Sequence, residues 1–207
     1  MLDVMRVPAS GDPLVALRPV SGEITNRVEC DVLVVGGGMG GVAAALAAAR
    51  RGRSVRLLEE TDWLGGQMTS QGVSALDEHE HIEGFGGTRT YYALREAIRD
   101  HYRSLLSVPE GDGPFNPGSS WVSRIAFEPR VALSVLEGLL DPEIKAGRLR
   151  VHLRTKATSA TVEGNRVVSI RAMNLDYGVL TEFHASYVVD ATELGDLLPL
   201  TGTEYVV

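Results

Sequence analysis

The chain has 207 residues, 44% of them hydrophobic, enough to bury one core or one and a half. Its formal net charge is −7, so phosphate backbones and anionic lipid are repelled, which argues against nucleic acid and membrane surfaces as partners. One cysteine, Cys30, excludes an internal disulfide, a CxxC redox pair and a cysteine-held iron–sulfur cluster, so any redox chemistry is borrowed from a cofactor.

Residues 1–29 are rich in Pro, Gly and short polar side chains and lack the apolar stretch of a signal peptide. They read as a leader, at most an irregular strand, and a cytoplasmic location is expected. Asp31–Val35 reads as a buried strand, Met39–Arg51 as a small-residue helix stopped by Gly52, and Ser54–Leu58 as a second strand with Glu59 at its end. This is β-α-β, and a right-handed crossover lays its strands parallel. The uncharged run 32–49 has the length of a membrane span. Its five glycines sit in the middle, however, and strand, turn and helix account for it better.

Thr61–Gly87 reads as a long loop and Thr88–Leu106 as a helix, from the spacing of Tyr92, Leu94, Ile98, Tyr102 and Leu105. Ser107–Phe127, with Pro109, Pro114 and Pro117, is a second insert of a length that is usually functional. Glu128–Leu140 follows as a helix with Pro129 suited to its first position, then a strand at Leu149–Leu153. Ala157–Val162, Val167–Leu175, Val179–Ala185 and Tyr187–Asp190 read as successive strands, with turns at Glu163-Gly164-Asn165 and Asp176–Gly178.

Gly36-Gly37-Gly38-Met39-Gly40-Gly41 satisfies GxGxxG through Gly36, Gly38 and Gly41. Gly36 makes the tight turn, Gly38 lets a pyrophosphate approach the backbone, and Gly41 lets the helix pack on the strand while its N-terminus offers free N–H groups. Glu59 stands near the spacing of the acid that binds the adenosine ribose, and an acid there disfavours a 2′-phosphate. FAD and NAD both contain ADP. Two features favour FAD: a second glycine doublet, Gly65-Gly66, just past the acid, and a strand ending in Asp190-Ala191-Thr192 after a meander. The expected fold class is therefore α/β: a Rossmann-like FAD/NAD(P)-binding domain over 30–207, with a parallel sheet, a β-meander and inserts near 61–87 and 107–127. The candidate cofactor residues are Gly36, Gly38, Met39, Gly40, Gly41, Glu59, Glu60, Gly65, Gly66, Gln67, Ala157, Ala191 and Thr192.

Val34–Arg50, Leu64–Gln67, Asp77–Arg89 and Asp190–Leu200 together resemble the N-terminal part of the FAD-dependent oxidoreductases of the glutathione-reductase-like, two-dinucleotide-binding superfamily. The nearest resemblance is to a bacterial branch reading VVGGGxxGxxAALAAAR, LGGQ, DEHxxIExFGGTR and DATELGDLLPL. It implies FAD as cofactor and redox chemistry on a small molecule, and leaves the substrate open. Such relatives continue past the Asp-Ala-Thr strand into a cap domain and then complete the FAD domain. By that comparison the chain reads as truncated at its C-terminus, with an apolar edge or face of the sheet left open, and as marginally soluble, homodimeric or completed by a separate chain.

Residues for the chemistry itself are weakly marked. His79 or His81 in Asp77-Glu78-His79-Glu80-His81 is a candidate proton donor or acceptor, against the readings of an exposed polar loop or a chance H-x-H metal pair. Arg89, Arg124 and Arg130 lie in or beside the inserts, where one of them could clamp an anionic substrate; surface ion pairs are the plainer reading. Trp121 fits packing better than a flavin wall, and Cys30 precedes the first strand. No metal site is expected. Two further functions stay open: a non-catalytic or partner-completed ADP-binding fragment, and an NAD-dependent dehydrogenase. An RNA-modifying flavoprotein is disfavoured by the acidic balance.

Overall fold

The strand expected at 31–35 begins seven residues earlier, at Ile24, and forms the spine of the sheet. A computed structural model describes residues 22–73, 75–106 and 115–206. The leader up to residue 21 and the part of the second insert over 107–114, with Pro109 and Pro114, lie outside the described residues. The elements are β1 (Ile24–Val35), α1 (Met39–Arg50), β2 (Val55–Leu58), α2 (Gln67–Ser70), α3 (Arg89–Leu106), α4 (Pro129–Lys145), β3 (Leu149–His152), β4 (Thr155–Glu163), β5 (Arg166–Asn174), β6 (Leu180–Asp190) and α5 (Leu197–Thr201), with a 3₁₀ turn at Pro117–Ser119.

The six strands lie in the order β3-β2-β1-β6-β5-β4. β3, β2, β1 and β6 run parallel, while β4, β5 and β6 form the antiparallel meander. β1 and β6 pair from Ile24↔Leu180 to Val35↔Asp190. Only the last four residues of β1 also pair with β2, and only the first four of β6 with β5. The parallel sheet and the meander therefore share two long strands, and the domain starts within what reads as leader. Residues 24–29 are polar at Thr25, Arg27 and Glu29, all exposed, which hides the strand from an apolar pattern. β6 also corrects the sequence reading: Val179–Ala185 and Tyr187–Asp190 are one strand. Ser186 and Tyr187 are both exposed, and that lapse in alternation imitates a break.

Alternate residues of β1 feed two cores. Val34 joins Val42, Ala45, Leu46, Leu57, Ile98, Leu136 and Leu140 on the helical side. Leu33 and Val35 join Leu58, Ile170, Ala172, Phe183 and Leu197 on the other. Both faces are thus covered, as a parallel sheet requires, and the expected open apolar face is absent among the described residues because the meander and α5 close it. α1 buries Gly41, Val42, Ala45, Leu46 and Ala49, a stripe with helical spacing. α4 starts with Pro129 as expected but runs past Leu140 through Pro142 to Lys145. The proline removes one helical N–H, and the fully buried Leu140 holds the segment in place. No helix among the described residues is long and apolar enough to cross a membrane.

The first insert is not a bare loop. It contains α2, and two buried guanidinium groups of α3 tie it down. Arg95, 1% exposed, pairs with Glu78 and Glu83. Arg99 donates to Glu83 Oε1 at 2.7 Å, to the Phe115 carbonyl at 2.7 Å and to the Arg124 carbonyl at 3.2 Å. Tyr91 donates its hydroxyl to Glu78 Oε1 at 2.6 Å; burial and the Glu78 carboxylate push its phenol pKa upward. α3 thus fastens both inserts with charge-assisted bonds away from water.

Two stability predictions follow from this packing. Arg95→Ala strands Glu78 and Glu83 and costs about 3 kcal/mol or more, whereas Arg103→Ala, whose partners Glu96 and Asp100 are exposed, costs at most about 1 kcal/mol; urea unfolding followed by circular dichroism measures both. His152 packs edge-on against Phe183 at 5.4 Å, and burial, helped by the Arg150 and Arg56 charges, lowers its pKa from 6.5 to about 4. Its neutral form is the folded one, so its contribution is complete above about pH 6.5 and is lost as pH falls towards 4. Between those two pH values the wild-type chain loses more stability than His152→Gln.

Candidate functional site

β1 ends in a turn that glycine alone permits. Gly36 has φ of +104° and donates its N–H to the Leu58 carbonyl at 2.8 Å, while Ala191 donates to the Val35 carbonyl at 2.7 Å. The ends of β2, β1 and β6 therefore meet at one point. A Cβ on Gly36 would lie 2.2 Å from the Ala191 carbonyl oxygen, and one on Gly41 would lie 1.9 Å from that of Gly36. Helix α1 thus sits directly on the turn. No side chain caps its N-terminus and its first turn holds no acid, so its leading N–H groups and positive dipole end are available to an anion.

Glu59 locks this turn from the side. Its Oε2 accepts the Gly37 N–H at 2.6 Å and its Oε1 accepts the Thr61 N–H at 2.8 Å. The residue is 9% exposed. A carboxylate has about four acceptor positions, so two remain for hydroxyl donors. The second doublet lies alongside: Gly65 donates to the Gly37 carbonyl at 2.8 Å and bridges Gly38 in parallel. Asp190 holds the third segment, accepting from Thr192 N–H at 3.1 Å, Thr192 hydroxyl at 2.7 Å and Leu197 N–H at 3.0 Å.

These segments enclose a cavity of about 870 Å³, within the range of preformed cofactor sites, ~300–1,000 Å³. Of the residues expected from sequence, Gly36, Gly38, Glu59, Glu60, Gly66, Gln67, Ala157, Ala191 and Thr192 line it. Met39, Gly40, Gly41 and Gly65 do not line it; Gly41 and Gly65 shape it from behind through the contacts above. Sequence reasoning missed Trp63, Pro129, Lys156 and Glu193 in the lining. The Arg130 guanidinium lies 5.4 Å from the centre of the Trp63 ring, and Lys156 bonds Glu60. Adjacency to Leu64-Gly65-Gly66, Ala157 and Thr192 was the available signal for three of the four.

The proposed catalytic residues do not reach the cavity. His79 and His81 are exposed and gather around Phe85, His81 stacking on it at 5.6 Å. Arg89 is the exposed first residue of α3, and Arg124 is exposed. Neither lines the cavity. Trp121 is 94% exposed, so the expected packing role is absent among the described residues. Burial pushes the Cys30 thiol up to about 11, which keeps it protonated and unreactive. Among the described residues no group of three His, Cys, Asp or Glu side chains could hold a metal ion.

Residues 31–207 match the family model of FAD dependent oxidoreductases. The chain belongs to that family. Its cofactor is FAD, and the glycine cradle, the uncapped helix end and the acceptor positions left on Glu59 suit the ADP half of that molecule. The chain is 55% identical over 185 residues to 3-hydroxybenzoate 6-hydroxylase of Polaromonas naphthalenivorans, covering 82% of this chain and 45% of that one. It is 35% identical over 106 residues to a probable electron transfer flavoprotein-quinone oxidoreductase, YgcN, of Escherichia coli, covering 49% and 24%. Its fold resembles that of Mycobacterium smegmatis Sdh1, with a TM-score of 0.54 and 17% identity over 80% of this chain and 34% of that one. It also resembles the myxobacterial chondrochloren halogenase CndH, an FAD-dependent halogenase, with a TM-score of 0.50 and 24% identity over 80% and 37%. The chain spans less than half the length of each of these proteins.

The crowding at the turn makes a paired prediction. Gly41→Ala forces helix and strand apart and costs about 1–3 kcal/mol, with loss of FAD binding. Gly40→Ala, which meets nothing within 4 Å, leaves stability within about 0.5 kcal/mol. Thermal unfolding and flavin titration of the two variants check it.

Proposed function

We propose that the chain is the FAD-binding portion of a cytoplasmic flavoenzyme that moves hydride or electrons to or from a small molecule. The observation that carries this reading is the buried Glu59 carboxylate, held by the Gly37 and Thr61 N–H groups beside the uncapped end of α1. Bound FAD supplies the redox chemistry at its flavin ring. The residues of the chain bind and orient. The N-terminus of α1 receives the pyrophosphate between Gly36 and Gly41, Glu59 takes ribose hydroxyls on its free lone pairs, and Ala157, Glu60 and Lys156 form the wall beyond it. Gly66, Gln67, Ala191 and Thr192 also line the cavity, with Gly65 behind them. Kinship with glutathione-reductase-like proteins is part of the proposal, supported by the second glycine doublet and the meander.

No side chain of the cavity stands out as a proton donor. The relatives' names point to different substrates, 3-hydroxybenzoate in one and quinone in another, so the shared FAD portion does not select among them. The proposed partners are a small-molecule substrate and a second protein surface, either another copy of the chain or a separate chain; nucleic acid and membranes are not among them. The absence of His79 and His81 from the cavity favours a second reading, in which the chain binds FAD without itself supplying catalytic groups.

Titrating the purified chain with FAD, read by flavin fluorescence and absorbance, tests the reading. Saturable one-to-one binding is expected, weakened about tenfold or more in Glu59→Gln and not displaced by excess NAD. Binding of NAD in preference to FAD would overturn it.

A further inference from the structure

The phosphate end of the cradle already faces an anion of the chain's own. A Cβ built on Gly38 would meet one atom only, Glu193 Oε1, at 3.1 Å, and one built on Gly66 would meet the same atom at 2.9 Å. This carboxylate oxygen therefore lies between the two glycine segments, beside the N-terminus of α1. That helix end has no side-chain cap and no acid in its own first turn, so Glu193 is the acid that reaches it from across the cavity and is favoured there by the helix dipole. An ADP diphosphate carries at least two negative charges to the same place. Carboxylate and diphosphate cannot both occupy it without strong repulsion.

The backbone around Glu193 is held, while its side chain is free to turn. Asp190 bonds Thr192, and the Thr192 hydroxyl accepts the Asp196 N–H at 2.7 Å. Glu193 itself is exposed, and no ion pair or side-chain hydrogen bond holds its carboxylate among the described residues. Rotation about its side-chain bonds would clear the cradle with no movement of β6 or α5.

Resting on the FAD reading above, we propose that Glu193 occupies the diphosphate position in the ligand-free chain, and that an ADP-containing ligand binds only by displacing it. Glu193 is in this sense a positioning residue that sets affinity. It screens the positive end of α1 while the cradle is empty, and it weakens every ligand that brings a diphosphate. A ligand bearing adenosine without phosphates leaves it in place.

The test measures binding of adenosine, ADP and FAD by isothermal titration at constant ionic strength with a chelator present. It compares the wild-type chain with Glu193→Gln, Glu193→Ala and Glu163→Gln, an exposed hairpin acid that controls for net charge. Thermal unfolding confirms that each variant is folded. Glu193→Gln and Glu193→Ala are expected to bind ADP and FAD roughly tenfold tighter, with adenosine unchanged and Glu163→Gln like wild type. Unchanged or weaker ADP binding in both variants overturns the proposal, as does an equal gain for adenosine and ADP. In a parallel titration with Mg²⁺ in place of the chelator, an ADP affinity that rises only where Glu193 is present also overturns it, making the carboxylate a cation ligand. Wild-type binding of FAD with no change in the variants removes this inference alone; folded chains that bind neither ADP nor FAD remove the FAD reading with it.

Discussion

Among the described glycines, Gly41 leaves a side chain the least room, because its α-carbon packs against the carbonyl of Gly36. A single methyl group at Gly41 would stand 1.9 Å from that oxygen. Because the helix rests on the turn without a side chain between, α1 points its first N–H groups over the ends of β1, β2 and β6, where the hydrogen bonds of Gly36 and Ala191 bring those strands together. The small residues Ala45 and Ala49 carry the same close packing along the helix into the core. The cavity follows from this contact: it is the space left above strand ends that a close-packed helix leaves unfilled.

Glu59 joins fold and chemistry in one group. It stabilises the turn by accepting two backbone N–H bonds, which are stronger for a charged acceptor, and it lines the cavity. Removing the acid therefore disturbs both the shape of the site and its chemistry, and the two effects separate only when stability is measured beside binding. The cavity's acids are unevenly neutralised. Lys156 serves Glu60 and lies 3.9 Å from Asp196, while Glu193 is left to the helix dipole. Helix α3 plays the complementary part, holding the inserts through buried Arg95 and Arg99, so that the loops beside the cavity hang on an ionic network and not on a core of their own.

The β-α-β unit, the glycine turn and Glu59 were legible because each is local: a strand, a turn and a helix follow one another within thirty residues, and glycine is demanded by backbone geometry at Gly36 and Gly41. The meander was legible from Gly164 and from the turn before Val179. What the chain hides depends on distant partners. Ile24–Glu29 is a strand because β6 pairs with it, and nothing in its own polar pattern says so. Arg95 and Arg99 look like the solvated face of a helix until Glu78 and Glu83 come down on them from the insert. The same fact reassigns the charged run Asp77–His81: its chemistry-like appearance belongs partly to a structural anchor, with the two histidines outside. Glu193 looks like a surface acid, and only the return of β6 beside β1 sets it over Gly38.

The measurement that most directly tests the account is a titration of the ¹⁵N-labelled chain with ADP, followed by amide resonances. The account predicts saturable shifts at Gly36–Gly41, Glu59, Thr61 and Gly65–Gly66, with the amides of α3 around Arg95 unmoved. Shifts confined to other surfaces, or none at concentrations that saturate ADP sites of this kind, would contradict the placement of the cofactor over the turn of β1 and α1.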